Sequence, residues 1–255
     1  MSDHRFLFGT PAKPYVPSRK GHCGTFILGA YPSAIYVKWL PGKLPSIAAI
    51  AVADEPEPFW EGHDEVLLVL RWRQSLQWNS AWGEVQPAGR LNGSSGVWLK
   101  ENVLDPLRLQ RQAIWITDCL DIYHESKSAA ARLDSPSFRR FMAQNRIPDR
   151  VLPAHPTEAQ IVRGAQLERL NVELRECQPQ RIITLGNAAL RVFDGLLEKP
   201  GAHSKLSPDK TYGRPLSVRT AFGSSVEWIP LAHPAAPKAF QAAHMRWLTR
   251  LHRAA

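Results

Sequence analysis

Acidic residues are missing from two long stretches, one near each end of this 255-residue chain. None occurs between His4 and Ala53, and none between Trp228 and Ala255. Over the whole chain, 32 Lys and Arg stand against 23 Asp and Glu, which gives a formal net charge of +9. Two acid-free basic ends favour a polyanionic partner such as nucleic acid. The alternative is a basic protein whose charge serves solubility alone.

Cysteine and long apolar segments are also scarce. Cys23, Cys119 and Cys177 are too few for a disulfide framework or for the four thiolates of an iron–sulfur cluster. No His/Cys group has zinc-site spacing, so neither a metal nor a cofactor is expected. The longest apolar run, 47–53, is far below the roughly 20 residues that cross a bilayer, and the N-terminus has no signal-peptide core. We therefore expect an intracellular protein, cytoplasmic and nucleoid-associated in a bacterial-type cell, without a membrane partner.

The remaining composition is that of a folded chain, with 44% hydrophobic and 22% charged residues, and excludes a disordered chain or a coiled coil. Prolines at 11, 14 and 17 and the Arg19-Lys20 pair predict that residues 1–20 form an extended basic arm. Residues 21–255 are predicted to form a single domain, which their length allows.

Short apolar segments alternate with helical patterns in that domain. Strands are predicted at 25–29, 47–53, 113–117, 181–185, 218–221 and 226–232, and helices at 65–76, 157–176, 187–197 and 237–251. Thr157 and Gln160 mark the clearest helix start, a capping box. A stretch rich in Gly, Asn, Ser and Trp, 77–100, is predicted as a loop with packing or lid tryptophans. The alternation predicts an α/β fold with a mostly parallel sheet between helices.

Four short segments stand near the ends of predicted strands, where ligands bind in α/β proteins. Gly29–Ser33 (GAYPS) contains a glycine and a proline that fix a sharp turn. Pro58–Gly62 (PFWEG) follows a later strand, and Thr117–Cys119 (TDC) closes another. The last segment, Leu231–Pro237 (LAHPAAP), carries a His-Pro pair.

In this order the four segments resemble those of the uracil-DNA glycosylase superfamily. Its members have a Gly-x-x-Pro motif after the first strand, an aromatic residue that stacks on an extruded base, a later base reader and a final His-Pro motif. Pro179–Ala189 (PQRIITLGNAA) also looks like the family's penultimate strand and turn, so the resemblance spans about 24–251. It implies three α/β/α layers around a central, mostly parallel four-stranded sheet, in a branch without an iron–sulfur cluster. It also implies a monomer that hydrolyses the N-glycosidic bond of an aberrant base (uracil, hypoxanthine or a related lesion) in single- or double-stranded DNA.

The resemblance implies a base-binding role for five residues: Ala30, Tyr31, Ser33, Phe59 and Asp118. Phe59 falls at the stacking position, and Asp118 falls where an Asn usually reads the base edge. An ionised Asp only accepts hydrogen bonds, so it favours a base that presents amino or imino hydrogens. Ser33, where some branches carry a bulky Tyr, leaves a roomier pocket. Together these differences point away from strict uracil specificity, toward hypoxanthine or a damaged base.

Catalysis is expected to centre on His233, as a hydrogen-bond donor to the carbonyl on which negative charge develops while the base leaves. Tyr31 stands where well-known branches place an Asp or Asn that orients the attacking water. A phenol with a pKa near 10 is a poor base at neutral pH. The water is then held by a backbone carbonyl of the first turn or by another carboxylate, of which Asp54 and Glu55 are the nearest after the second predicted strand.

Five residues are expected to contact the DNA backbone: Pro32, Ser33, Lys38, Pro234 and Lys238. Pro234 fixes the turn after the catalytic histidine, and Lys238 begins a basic closing helix suited to phosphates.

Structural and functional alternatives stay open at this point. Phe59 also fits a packing aromatic, Asp118 a helix N-cap and His233 a turn histidine, while Asp54 and its acidic neighbours fit a solvated loop. A non-catalytic protein that binds DNA or a modified base has the same fold. An N-glycosidase of free nucleosides or nucleotides has it too.

Overall fold

The computed structural model describes residues 3–15, 21–89, 93–109, 113–203, 205–234 and 240–253. The chain divides into two compact units, each assembled from three separate stretches. Unit 1 comprises Met1–Tyr15, Pro32–Gly93 and Ile122–Pro156, and unit 2 comprises Val16–Tyr31, Ser94–Asp121 and Thr157–Ala255. The sequence-based prediction of one domain over 21–255 does not anticipate this division.

The described residues contain strands and helices in the following order. The strands are β1 (Thr25–Gly29), β2 (Ala34–Leu40), β3 (Ile47–Asp54), β4 (Glu84–Pro87), β5 (Ile114–Asp118), β6 (Arg181–Leu185), β7 (Leu216–Arg219) and β8 (Ser225–Leu231). The α-helices are α1 (Glu65–Ser75), α2 (Gly93–Leu99), α3 (Asp105–Leu109), α4 (Lys127–Leu133), α5 (Pro136–Gln144), α6 (Glu158–Gly164), α7 (Leu167–Cys177), α8 (Gly186–Asp194) and α9 (Gln241–Arg253). A π-helical turn, Lys100–Leu104, joins α2 to α3.

Unit 2 is built on a five-stranded sheet in the order β5-β1-β6-β8-β7. The first four of these strands are parallel, and β7 pairs antiparallel with β8 at the edge. All five residues of β1 are buried, as a strand covered on both faces requires, and α8 packs on β6, β1 and β8. The predicted α/β fold with a mostly parallel sheet is confirmed. The predicted number of four strands is wrong, because the late hairpin adds β7 as an antiparallel fifth.

The helix predicted over 157–176 begins as expected and then breaks. The Thr157 side chain accepts from the Gln160 N–H, and the Gln160 side chain accepts from the Thr157 N–H, which confirms the capping box. The helix stops at Gly164, where a Cβ would lie 3.2 Å from Leu120 Cδ2. Two residues later the Gln166 N–H donates to the Cys119 carbonyl (3.1 Å). These tertiary contacts with the segment after β5 divide the predicted helix into α6 and α7.

One disulfide joins Cys23, two residues before β1, to Cys177 at the end of α7. Their Cα atoms are 5.2 Å apart, and the Cys23 N–H also donates to the Cys177 carbonyl (2.9 Å). Both residues belong to unit 2 and are buried. The bridge therefore closes a long ring within that unit, although three cysteines make no framework.

Unit 1 contains a separate antiparallel sheet in the order β3-β2-β4. Its core surrounds Phe8, whose ring centroid lies 5.3 Å from that of Trp39, 4.8 Å from that of Trp78 and 5.7 Å from that of Trp82. The tryptophans of the predicted loop at 77–100 are thus partly core residues. The same stretch also contains β4 and α2.

Residues 3–15 do not form the predicted extended arm. Phe6, Leu7 and Phe8 are at most 1% exposed, and Leu7–Gly9 form a 3-10 turn. Arg5 pairs with Val151 through backbone hydrogen bonds in both directions. Burial of three consecutive apolar side chains, about 1.5–3 kcal/mol each, outweighs the extended tendency of the nearby prolines. Residues 16–20 of the predicted arm lie outside the described residues.

In the described parts of the chain, every helix is too short or too polar to cross a membrane. The same parts contain no group of three or more His, Cys, Asp or Glu that could hold a metal ion.

Candidate functional site

Three of the predicted site residues lie at the carboxyl ends of strands in the unit 2 sheet, and therefore on the same side of it. Asp118 is the last residue of β5 and pairs with Gly29 at the end of β1, two residues before Tyr31. The last residues of β6 and β8 also pair in register, and His233 follows β8 by two residues. Parallel strands lie about 4.8 Å apart, so the backbones that carry Asp118 and His233 leave the sheet about 14 Å from each other. Tyr31 leaves from the strand beside Asp118.

The end of β5 is held by an ion pair whose carboxylate is buried. Arg169 pairs with Glu173, which is 3% exposed and also accepts from Trp115 Nε1 (3.1 Å). The guanidinium donates to Thr117 Oγ1 (2.8 Å) and to the main-chain carbonyl of Asp118. Arg169 therefore fixes the backbone of the predicted base reader, which is itself 2% exposed.

Asp118 does not act as a helix N-cap. The residues that follow it form bends, and the next helix, α4, begins only at Lys127. The alternative that Asp118 caps a helix is therefore wrong: it lies at the carboxyl end of β5, where the half-buried Arg169 holds its backbone.

Two backbone hydrogen bonds join the first motif to the segment after β5. The Cys119 N–H donates to the Gly29 carbonyl (3.1 Å), and the Leu120 N–H donates to the Ala30 carbonyl (3.0 Å). Burial, with a smaller contribution from the Asp118 charge, raises the pKa of the Cys119 thiol well above its usual value. Cys119 is therefore a neutral packing residue at physiological pH rather than a nucleophile.

His233 is exposed and packs against the first residue of α8. Gly186 has a φ of 89°, and a Cβ at that position would lie 3.2 Å from His233 Cβ and 3.6 Å from its backbone nitrogen. Only glycine combines this backbone conformation with such a close approach. The predicted penultimate turn, PQRIITLGNAA, thus supports the histidine directly.

A cavity of about 250 Å³ opens beside His233 within unit 2. Its lining includes Pro234 and the aromatic side chains of Trp98, Tyr212 and Phe240. The Tyr212 and Phe240 rings are stacked, with centroids 5.4 Å apart and planes inclined at 27°. The aromatic walls and the exposed imidazole make this cavity suited to a flat ring that needs a hydrogen bond at its edge.

Two residues of this cavity were missed by the sequence analysis, Tyr212 and His244. The Tyr212 hydroxyl lies 2.7 Å from His244 Nδ1, and His244 Nε2 lies 3.1 Å from the Asn102 carbonyl oxygen. Burial lowers the pKa of His244 and raises the pKa of Tyr212, so both side chains are neutral at physiological pH. The three residues are separated by 32 and 142 positions in the chain, and no local pattern indicates their contact.

Phe59, the predicted stacking residue, lies in unit 1 within a strained turn. The Trp60 N–H donates to the Glu57 carbonyl (3.1 Å), and Pro58 and Phe59 occupy the two central positions. Phe59 has a φ of 53°, which for a residue with a Cβ costs about 1–3 kcal/mol. Its side chain is half-buried.

Glu55 ties this turn to Ser33. It is 7% exposed, and its two carboxylate oxygens accept from the Ser33 N–H (2.9 Å) and from the Trp60 N–H (3.4 Å). Asp54 accepts from the Lys13 N–H (2.9 Å), and burial raises its pKa. The solvated-loop alternative is therefore wrong for the buried Glu55, whereas Asp54 is half-buried and Glu57 is exposed.

The residues predicted at the DNA backbone fall in both units. Pro32 is buried and Lys38 half-buried in unit 1, where Lys38 pairs with Gln86 across the sheet. Pro234 is half-buried in unit 2, and Lys238 lies outside the described residues. In the closing helix α9, Arg250 donates to the Gly213 carbonyl (2.7 Å), so this arginine also holds the fold.

No protein-family model matches the chain, and no curated protein shows significant similarity to it.

Proposed function

We propose that this protein is a DNA glycosylase with a uracil-DNA glycosylase-like fold, and that His233 of unit 2 assists departure of the base. One observation carries the proposal. An exposed histidine follows the last parallel strand, borders an aromatic cavity and shares its sheet edge with Tyr31 and Asp118. Carboxyl edges of parallel sheets are where α/β enzymes bind ligands.

The chemistry fits the groups at this edge. When an N-glycosidic bond breaks, the sugar becomes cation-like and the base leaves as an anion. A fixed hydrogen-bond donor beside the developing charge lowers the barrier, and loss of one such donor typically costs about 2.7–4 kcal/mol. His233 supplies that donor, and Gly186 and Pro234 restrict its backbone.

Recognition of the base is assigned to Asp118 and to Ala30, Tyr31 and Ser33 of the first motif. An ionised Asp118 accepts from amino or imino hydrogens, which favours hypoxanthine or a damaged base over uracil. Stacking is assigned to Phe59 and contributes about 1–3 kcal/mol per base in other proteins. The strained conformation of Phe59 supports a functional role, since strained residues concentrate at ligand sites.

The attacking water needs little activation by a base if the sugar cation forms first. Tyr31 is therefore assigned to orient this water rather than to deprotonate it. Asp54 stays the predicted alternative, although one of its oxygens is already engaged by Lys13.

Base release from defined oligonucleotides tests the proposal. Duplexes and single strands with uracil, hypoxanthine or other lesions are incubated with the protein, and abasic sites are cleaved with alkali. At least one lesion is expected to give product, and His233→Ala is expected to lower the rate roughly 10²- to 10³-fold. His155→Ala, which removes an exposed histidine of unit 1, is the matched control. If no lesion is released while DNA still binds, the enzymatic proposal fails.

Tyr31, in the place of a water-orienting carboxylate, favours a second candidate: a non-catalytic protein that binds DNA or a modified base. In that case neither the parent nor His233→Ala releases a base, and both bind a lesion duplex equally well. The affinity should then fall steeply as salt rises, because phosphate contacts release counterions. Weak binding that salt does not change would instead favour a free nucleoside or nucleotide as the substrate.

A further inference from the structure

A series of hydrogen-bonded side chains supports the turn that carries His233. Ala232, one residue before His233, lines the cavity together with Tyr212, and its backbone N–H is placed to donate to the Tyr212 hydroxyl oxygen. The same hydroxyl bonds to His244 Nδ1 (2.7 Å), and His244 Nε2 bonds to the Asn102 carbonyl (3.1 Å). We call this series the Tyr212 relay.

Each proton of the Tyr212 relay has one consistent place. A backbone carbonyl only accepts, so His244 Nε2 carries the hydrogen that is donated to Asn102. His244 is then the neutral tautomer whose Nδ1 accepts, and the Tyr212 O–H donates to it. The hydroxyl oxygen in turn accepts from the Ala232 N–H, which also cannot accept. Donors and acceptors alternate without a conflict from Ala232 to Asn102.

The members of the relay are themselves firmly held. Tyr212 and His244 are 2% and 3% exposed. The Gly213 N–H donates to the Pro230 carbonyl of β8 (2.7 Å), and a Cβ at Gly213 would lie 2.7 Å from Trp247 Cβ, so this segment is pressed against α9. The His244 ring packs against Trp98, with centroids 4.7 Å apart. Because its members are fixed in this way, the Tyr212 relay can hold the Ala232 backbone in one position.

Asn102, the far end of the relay, belongs to the π-helical turn Lys100–Leu104. Single π-turns are rare and concentrate at functional sites. In this protein the π-helical turn has a role in the relay, because the Asn102 carbonyl sets the tautomer of His244.

We infer that Tyr212 and His244 are positioning residues for His233. They fix the Ala232 backbone and thereby hold the imidazole of the next residue over the cavity. The inference rests on the proposed function for its catalytic consequence. The positioning itself is a structural property that is measured without any reaction.

The direct test is an NMR comparison of histidine-labelled protein. His233 ring signals, assigned by their loss in His233→Ala, are expected to be single and sharp in the parent. Tyr212→Phe keeps the ring but leaves the Ala232 N–H and His244 Nδ1 without their partner. The His233 signals of this variant should shift, double or broaden. Thr184→Val is the matched control, because it removes another buried hydrogen bond of unit 2, from Trp228 Nε1 (3.1 Å), at a residue outside the relay.

A second pair of variants keeps the test decisive if Tyr212→Phe does not fold. A glutamine at position 244 offers both an acceptor and a donor, whereas leucine offers neither. His244→Gln is expected to retain the parent's His233 signals and His244→Leu to lose them. Where base release is observed, Tyr212→Phe should lower kcat by roughly ten- to a hundred-fold with little change in KM, as misplaced catalytic groups do.

Unchanged His233 signals in both Tyr212→Phe and His244→Leu would overturn the inference, and so would equal changes in Thr184→Val. If the parent protein releases no base from any lesion, the proposed function fails by itself. The NMR comparison then decides the positioning role alone.

Discussion

Gly186 and His233 approach each other so closely that a Cβ on the glycine would stand 3.2 Å from the histidine Cβ. The first turn of α8 and the turn after β8 are thereby kept in contact. Because this contact depends on one missing methyl group, a minimal substitution can test it.

Gly186→Ala should destabilise unit 2 and displace His233. Its φ of 89° costs an L-residue about 1–2 kcal/mol, and the crowding of His233 adds to this. Gly201→Ala separates the two effects, since Gly201 has a φ of 104° but nothing within 4 Å of the added Cβ. Thermal unfolding should show a loss of stability in both variants that is larger in Gly186→Ala, and the NMR signals of His233 should be displaced only in Gly186→Ala. A displaced His233 in both would contradict the contact.

Removal of the Arg169 guanidinium should be severely destabilising. Arg169→Met leaves the carboxylate of Glu173, 3% exposed, without its cation, and such losses cost about 3–5 kcal/mol. The double variant Arg169→Met/Glu173→Gln should recover a substantial part of this, because the buried charge of Glu173 is then also removed. Urea unfolding measures the free energies of unfolding of both variants. A double variant no more stable than Arg169→Met would show that the ion pair is not the cause.

Asp118→Asn should shift base preference toward uracil. An amide both donates and accepts, whereas a carboxylate only accepts and repels a base carbonyl. One gained hydrogen bond of about 0.5–1.5 kcal/mol predicts a roughly two- to tenfold rise in the ratio of kcat/KM for uracil to that for hypoxanthine. An unchanged ratio would remove Asp118 from base recognition.

His244 should make the folded state less stable in mild acid. Burial lowers the pKa of His244 in the folded protein, so below the ordinary value near 6.5 the unfolded chain binds a proton that the folded chain rejects. The stability that comes from keeping His244 neutral is therefore complete above pH 6.5. It is lost as the pH falls through the lower pKa that His244 has in the folded protein. His203, whose pKa burial also lowers, contributes in the same sense. Urea unfolding of the parent and of His244→Gln between pH 7 and 5 should show a smaller decline in the variant, and parallel curves would contradict the prediction.

The disulfide should contribute strongly to the stability of unit 2. Its cysteines are separated by 154 positions, and the chain-entropy model gives up to about 5 kcal/mol for a ring of that size. Cys177→Ser should therefore unfold at a lower urea concentration than the oxidised parent. A reducing agent should bring the parent close to the variant and leave the variant unchanged. If the reductant does not affect the parent, the bridge contributes little.

Local signals in the sequence predicted the parts of the fold that local interactions decide. The capping box at Thr157 and the buried run of β1 are set by neighbours in the chain, and both were predicted. The fifth strand and the break at Gly164 depend on pairing and contact with distant segments. Phe6, Leu7 and Phe8 were predicted to lie in an extended arm because the prolines that follow them are close in sequence. The residues on which they pack are distant in sequence.

The candidate site divides in the same way. The strand-end positions of Tyr31, Asp118 and His233 follow from short motifs and could be predicted. Arg169, Tyr212 and His244 could not, since each acts on a backbone group that is remote in sequence. Gly213, directly after Tyr212, was the one visible sign of a tight contact there.

The Cys23–Cys177 bridge also has a consequence for a chain that has been cut. A protease that cleaves once, at any bond between residues 24 and 176, leaves two fragments that remain covalently joined. Such a nicked molecule would run at its full mass on a non-reducing gel and separate into two bands only after reduction. Purity judged without reductant would therefore overlook cleavage anywhere across more than half of the polypeptide.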